Sequence, residues 1–289
     1  MRRQLILVLA VAMANIASAD IIQGIDIDFV TIGNPGNPGD TRAEANPTGC
    51  GAVGYTYQLG QYEITNGQWD SFVTAAGAPT GNPSDAYDES ADWTGDNIPI
   101  DELRWYEAVQ FCNYLTSGDK SQGAYQFSGN NSNPGDFEGI DRDSAVSTYG
   151  IAYVIPTEDE WYKAAYYTGS GYSTYANGTD IAPIAGDDTN YDQDSPYDGP
   201  WDVGSGTLEQ NGTFDMMGNG WEWNETLISG SEPVVRGGSF DCIDYLLSSS
   251  SRPAPRGGVG FRVASVPEPC SLVLLSLGGL TLMRRRRVR

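Results

Sequence analysis

The sequence predicts a single α+β domain rich in irregular structure. Three observations predict it. Strand-like runs lie at both ends of the central region, three amphipathic helical patterns lie between them, and long polar stretches separate the elements. With 289 residues, 39% of them apolar, and with seven Trp and 17 Tyr, the chain can build one large core.

From Asp20 to about Gly60 the pattern is strand-like, is broken by the Gly/Pro/Asn-rich "TIGNPGNPGD", and becomes strand-like again in "YTYQLGQYEI". In "ITNGQWDSFVTAAG" Thr65 can cap a helix, Gln68 stands at the third position, Trp69, Phe72 and Val73 share a face, and Gly77 ends it. A second helix begins near Arg104. There Trp105, Ala108, Cys112 and Leu115 recur on one face and Gly118 closes the pattern, which places Cys112 on the buried side. In "IPTEDEWYKAAYYTG" Thr157 caps with Glu160, Trp161 and Ala165 face inward, and Gly169 terminates. Two polar stretches, "QFSGNNSNPGDFEGIDRDS" and "NGTDIAPIAGDDTNYDQDSPYDGPWD", read as long loops of the functional or metal-held kind. Strand character returns in "PVVRGGSF" and "GFRVASV".

Both termini read as addresses. Residues 1–19, "MRRQLILVLAVAMANIASA", have an Arg pair, an apolar run and a small-x-small ending, the pattern of a cleaved secretory signal, with maturation expected at Asp20. Residues 266–289, "VPEPCSLVLLSLGGLTLMRRRRVR", combine Pro-Glu-Pro, an apolar run shorter than a comfortable membrane span and a cluster of arginines. That order resembles the PEP-CTERM sorting signal of exported bacterial proteins. The resemblance implies an exosortase-type sorting enzyme as partner and a C-terminal membrane anchor, transient or permanent. The expected location is outside the cell, at the surface, in an extracellular matrix or secreted.

Charge excludes one class of partner. Seven of the 16 basic residues (Arg2, Arg3, Arg284, Arg285, Arg286, Arg287 and Arg289) lie in residues 1–19 and 270–289, which leaves 38 acids against nine bases between those segments. Such a surface repels phosphate backbones, so no nucleic acid is expected to bind. It suits a protein that collects divalent cations.

Histidine is absent, which removes Ser-His triads, His-based acid/base chemistry and the His ligands of zinc and non-haem iron sites. Cysteine is sparse. Cys50, Cys112 and Cys242 lie in the domain, Cys270 lies in the tail, and no C-x-x-C occurs. In an oxidising compartment three cysteines permit one internal bridge at most, and the pairing of Cys50 and Cys112 stays open.

Two stretches carry the chemistry. In "DMMGNGWE" Asp215 and Glu222 offer hard oxygens, and Gly218 and Gly220 allow a tight loop whose carbonyls can turn to the same point, as in a calcium loop. In "DDTNYDQ" Asp188, Asn190 and Asp192 alternate as in an EF-hand, but Gln193 and Gly199 stand where that motif requires Gly and Glu, so the motif fails.

"LGQYEITNGQW", "TEDEWYKAA", "GTFDMMGNGWEWNE", "VVRGGSF" and "GFRV" occur in this order. Together they resemble the formylglycine-generating enzyme family, also called the sulfatase-modifying factor domain. The resemblance covers about Val30 to Ala264 and implies a loop-rich α+β domain, here residues 20–265, related to the C-type lectin fold. It implies one structural calcium site at Asp215, Gly218, Gly220 and Glu222. A second would draw on Asn190, Tyr191 and Asp198. Oxidase members of the family resemble one another in holding Cu(I) between two cysteines five residues apart, the first just after Arg-Gly-Gly-Ser. Cys242 occupies that first position as the candidate catalytic residue, but the second position is Leu247, which cannot ligate copper. Val154 and Ile155 replace the family's Arg-Leu before "PTE", which removes an expected buried ion pair.

The sequence therefore leads to a calcium-stabilised surface or extracellular-matrix binding module without oxidase activity, whose partner is an unknown glycan or protein. Tyr172, Tyr175 and Tyr197 are the candidate contacts. The alternatives are a copper-dependent formylglycine-generating oxidase centred on Cys242, and a structural matrix protein with no specific ligand.

Overall fold

The computed structural model describes residues 18–87, 91–192, 199–228, 232–254 and 258–267. In chain order the first elements are β1 (Ser18–Ile22), β2 (Ile25–Ile32), β3 (Tyr57–Gly60), α1 (Asn66–Ala76), α2 (Trp105–Ser117), β4 (Tyr125–Phe127) and β5 (Phe137–Ile140). There follow α3 (Arg142–Tyr149), β6 (Ile151–Val154), α4 (Glu158–Tyr166), β7 (Trp221–Ile228), β8 (Glu232–Arg236), β9 (Val259–Gly260) and β10 (Ala264–Pro267).

Two sheets organise the domain. An antiparallel sheet runs in the order β1-β2-β3-β10-β6, so both ends of the domain meet in one layer. The second, β8-β7-β9, pairs β7 antiparallel with β8 and parallel with β9. Strand β2 turns Ile25, Ile27 and Phe29 inward by the two-residue period of a half-buried strand. Residues expected in the signal form part of β1, because Ser18 and Ala19 pair with Phe29 and Asp28. The rest of the expected signal, and the tail from Glu268 onward, lie outside the described residues. Among the described residues no helix is long and apolar enough to cross a membrane.

The helix signals act as read. Thr65 and Gln68 close a capping box on α1, and Thr157 and Glu160 close one on α4. Helix α2 is central: every side chain from Glu107 to Thr116 is buried. Its polar members fasten loops. Asn113 donates to the carbonyls of Lys120 and Tyr125, and Gln110 exchanges hydrogen bonds with both backbone groups of Thr80. A buried amide of this kind satisfies irregular backbone that has no ladder of its own.

Three readings need correction. The stretch expected as a loop from Gln126 to Ser144 contains β5 and the start of α3, which the Gly/Asn/Asp composition concealed. Helix α4 stops at Tyr166, short of Gly169, because the chain turns back so that Tyr167 bridges to Tyr172. The interior beside "PTE" keeps a buried ion pair after all. Arg142 of α3 reaches Glu160 and Glu225, each at 2.9 Å, an arrangement that requires α3 to lie against β6 and α4.

Candidate functional site

Strand β8 is followed by Gly237 and Gly238, both at positive φ (101° and 82°), and this turns the chain sharply into Ser239–Cys242. A side chain at Gly238 would meet Leu247 Cδ2 at 3.3 Å. Leu247 is fully buried in a short 3₁₀ turn, Asp244–Leu247, so the residue in the second copper position is a core side chain packed under the site strand. Cys242 is buried too. Its Sγ lies 3.2 Å from Ser239 Oγ, and Ser239 donates to Asp241 Oδ1 at 2.6 Å. Cys50 and Cys112 are buried, unbridged thiols. Burial pushes the Cys112 thiol far up, and Cys50, packed against the Glu158 carbonyl, is raised by burial and then by the Glu158 charge.

Beside this strand opens a cavity of about 220 Å³. Ser239, Phe240 and Asp241 form one wall, Glu63 and Gly220 another, and Asp92, Trp93, Asp101 and Glu102 a third; Cys242 is not part of its lining. Carboxylate oxygens of Asp92, Asp101 and Glu102 lie within 4.8 Å of one another, and burial raises Asp101 to about 6. No sequence signal marked this cluster, since three acids in a loop of an acid-rich chain are unremarkable until the fold turns them to one point.

The "DMMGNGWE" loop is held differently from the arrangement its spacing suggests. Glu222, on β7, receives Arg262 at 2.6 and 2.7 Å and the Trp161 indole at 2.7 Å, with both ion-pair partners wholly buried. Asp215 accepts from Trp201 Nε1 at 3.1 Å and Gly204 N at 2.7 Å. Gly220 donates its N–H to Glu63 Oε1 at 2.9 Å, and Asn219 binds Glu63 Oε2 at 2.8 Å, so Glu63 of "QYEITN" joins the group unannounced. Burial, then Asp215 and Glu222, raise the Glu63 carboxyl well above the ordinary range. Glu209 is buried nearby, with Oε2 bound by Thr213 and Met216 N and Oε1 lacking a hydrogen-bond partner. Four buried acids thus gather around Arg262, of which Glu63 and Glu209 are pushed by burial toward the protonated form.

The second expected set meets the first. The Asn190 carbonyl accepts from Asn219 N at 2.8 Å, and a side chain at Gly218 would sit 2.4 Å from that carbonyl. Asn190 Oδ1 is fully enclosed and has no donor among the described residues, the condition of an oxygen ready for a cation. Tyr191 is buried and its hydroxyl is spent on the Pro183 carbonyl, which leaves its backbone as the available ligand. Asp198 and Tyr197 lie outside the described residues. Of the other tyrosines, Tyr175 is buried and belongs to the core, while half-buried Tyr172 hydrogen-bonds the Gly51 and Pro38 carbonyls. Neither offers the open ring that a contact residue needs.

Glu209 has a consequence for pH dependence. Burial raises its carboxyl to about 8, against an unfolded value of about 4.3, so the folded protein holds a proton there that the unfolded chain gives up. Its contribution is complete below pH about 4 and is lost as pH rises through about 8, at up to about 1.4 kcal/mol per pH unit. Glu209→Gln should flatten the stability profile between pH 5 and 8 in denaturant titrations; an unchanged slope would show that Glu209 is ionised in the fold.

Residues 32–266 match the FGE-sulfatase family, the sulfatase-modifying factor enzyme 1-like domain, and the chain belongs to that family. A curated relative is "Chaperone protein LppX" of Paenibacillus barcinonensis, 23% identical over 189 residues that cover 58% of this chain and 61% of the relative. The chain therefore spans less than two thirds of the relative's length. Among solved structures, "Treponema denticola variable protein 1" is similar with a TM-score of 0.60 and 17% identity, covering 89% of this chain and 100% of the other. PvdO from Pseudomonas aeruginosa has a TM-score of 0.60 and 16% identity, covering 88% of this chain and 99% of its own. CarF, at 20% identity and a TM-score of 0.56, covers 84% of this chain and 99% of its own. At such identities the likeness is one of fold.

Proposed function

We propose that this protein is an exported binding module of the sulfatase-modifying factor family, stabilised by calcium and without oxidase activity. The observation that carries the reading is Leu247, which fills the second copper position with a fully buried hydrocarbon. A thiolate pair cannot form there, and burial leaves Cys50 and Cys112 as protonated, unreactive thiols elsewhere. The family's relation to the C-type lectin fold supports a binding role, since such scaffolds carry ligands on variable loops. The terminal segments support export with sorting through the C-terminal signal.

The test is incubation of the purified protein with Cu(I), oxygen and a cysteine-containing sulfatase-motif peptide. The peptide is expected to be recovered unchanged by mass spectrometry, and formylglycine product would overturn the reading.

Calcium is supported by the Asn190 Oδ1, which has no donor among the described residues, and by the buried Asp215 and Glu222 beside Arg262. Asn190 and the Tyr191 carbonyl would hold one ion with Asp198. Asp215 and the Gly218 and Gly220 carbonyls would supply the other site, where Glu222 is shared with Arg262. Calcium at about a hundred times its Kd adds about 2.7 kcal/mol to the native state. Chelation should therefore lower Tm by about 5–10 °C, and an unchanged Tm would remove the calcium claim.

A further inference from the structure

A second, larger cavity, of about 420 Å³, shares Trp93 and Ile100 with the first. Its character differs. Aromatic rings of Trp69, Tyr87 and Trp93 and the apolar side chains of Val73 and Leu103 line it, with Asp70, Asp96 and Glu107 the acids among the described lining residues. Asp70 and Asp96 are exposed, whereas Glu107 is buried and accepts the Arg104 N–H at the start of α2. No lysine or arginine among the described residues lines it.

The walls are fixed by hydrogen bonds from rigid elements. Asn66, the first residue of α1, donates to the carbonyls of Trp93 and Gly95, and Gly67 N donates to the Asp96 carbonyl at 3.0 Å. On the opposite side Lys120 Nζ binds the Gly77 and Ala78 carbonyls, and Gln110 clamps Thr80. Trp93 is further braced edge-on by Phe240, ring centroids 5.5 Å apart. A concave, largely apolar site with a few placed charges, held open by such bonds, is built as ligand sites are built.

We infer that this cavity binds an organic cation of the alkylated-ammonium class. Trp69, Tyr87 and Trp93 line it with aromatic surface that suits a cation carrying its own apolar methyl groups, and the carboxylates supply the opposite charge without the close multidentate oxygen shell a metal ion demands. Neutral or anionic ligands of the same size gain nothing from the acids. The inference deepens the binding-module reading and rests on it. A formylglycine product would sink that reading whether or not the cation binds, and failure to bind would sink this inference alone.

Choline is the probe, titrated calorimetrically into the full chain, with 3,3-dimethylbutan-1-ol as its uncharged isostere. Choline is expected to bind at least about tenfold tighter than the alcohol. Trp93→Ala should lose about tenfold or more and Trp93→Phe less, while Asp70→Asn, at an exposed position that leaves folding intact, should weaken binding several-fold and reduce its salt dependence. Equal binding of the alcohol, no heat at 10-fold excess over millimolar choline, or indifference to both Trp93→Ala and Asp70→Asn would each overturn the proposal. Sedimentation with phosphatidylcholine vesicles, and not with phosphatidylglycerol vesicles, would identify a lipid headgroup as the source. Choline binding without vesicle binding would identify a soluble ammonium compound.

Discussion

Arg262→Leu is expected to cost about 3–5 kcal/mol of unfolding free energy, a large part of what holds a domain of this kind together. Arg262 is fully buried. It forks onto both oxygens of Glu222, and its remaining protons go to the carbonyls of Gly60, Gln61 and Phe214 at 3.0–3.2 Å. It thus ties the end of β3, the approach to the glycine-rich loop and β7 to one point. Without it Glu222 keeps only the Trp161 indole, and Glu63 and Asp215 lose the cation that moderates their repulsion. Arg262→Lys retains the charge but not the planar fork, so it should fall between the two. Arg262→Leu with Glu222→Leu should recover part of the loss, because removing both charges spares the desolvation of either, though the Gly60, Gln61 and Phe214 carbonyls each lose one donor. Equilibrium urea unfolding measures all four proteins. A single-variant cost below about 1 kcal/mol would mean that Arg262 and Glu222 are not ion-paired in the fold.

Gly218→Ala is expected to cost about 2–5 kcal/mol, combining a left-handed backbone with overpacking. Gly218 sits at φ 97°, and an added Cβ would lie 2.4 Å from the Asn190 carbonyl oxygen and 2.9 Å from Thr189 Oγ1. The first neighbour is backbone and cannot swing aside. Gly150 provides the control, since it has φ 81° with nothing within 4 Å of an added Cβ. Gly150→Ala should cost only the conformational part, about 1–2 kcal/mol. If the two variants prove equally stable, the close approach of the 190 loop to the 218 loop does not exist. Because those loops carry the two expected calcium sets, Gly218→Ala should also shrink the calcium-dependent rise in Tm, which Gly150→Ala should leave intact.

Much of the fold was legible from the chain. Thr65 with Gln68 and Thr157 with Glu160 announce helix starts because a capping box is a local, three-residue interaction. Trp69, Phe72, Cys112 and Leu115 announce buried faces because a helix repeats every 3.6 residues. Helix α3 and strand β5 escaped for the converse reason. "RDSAVSTY" has a weak apolar face, with only Ala145 and Val146 buried, and is held by tertiary contacts rather than by its own pattern. The site was legible in its omissions: Leu247 and the absence of histidine could be read directly. Its charges were not. "DMMGNGWE" offers Asp215 and Glu222 in one loop, yet Glu222 turns to Arg262, 40 residues later, and Glu63, 157 residues before Gly220, takes that glycine's N–H.

The sequence by itself determined the family, the helix faces and the leucine at position 247, because each depends on residue identity or on neighbours a few positions apart. Only the tertiary structure decided which carboxylates are neutralised by arginine, which buried oxygen of Asn190 is left without a donor, and that Trp69, Tyr87 and Trp93 share a cavity. Those are properties of distance in space, and Coulomb and hydrogen-bond energies follow that distance rather than separation along the chain.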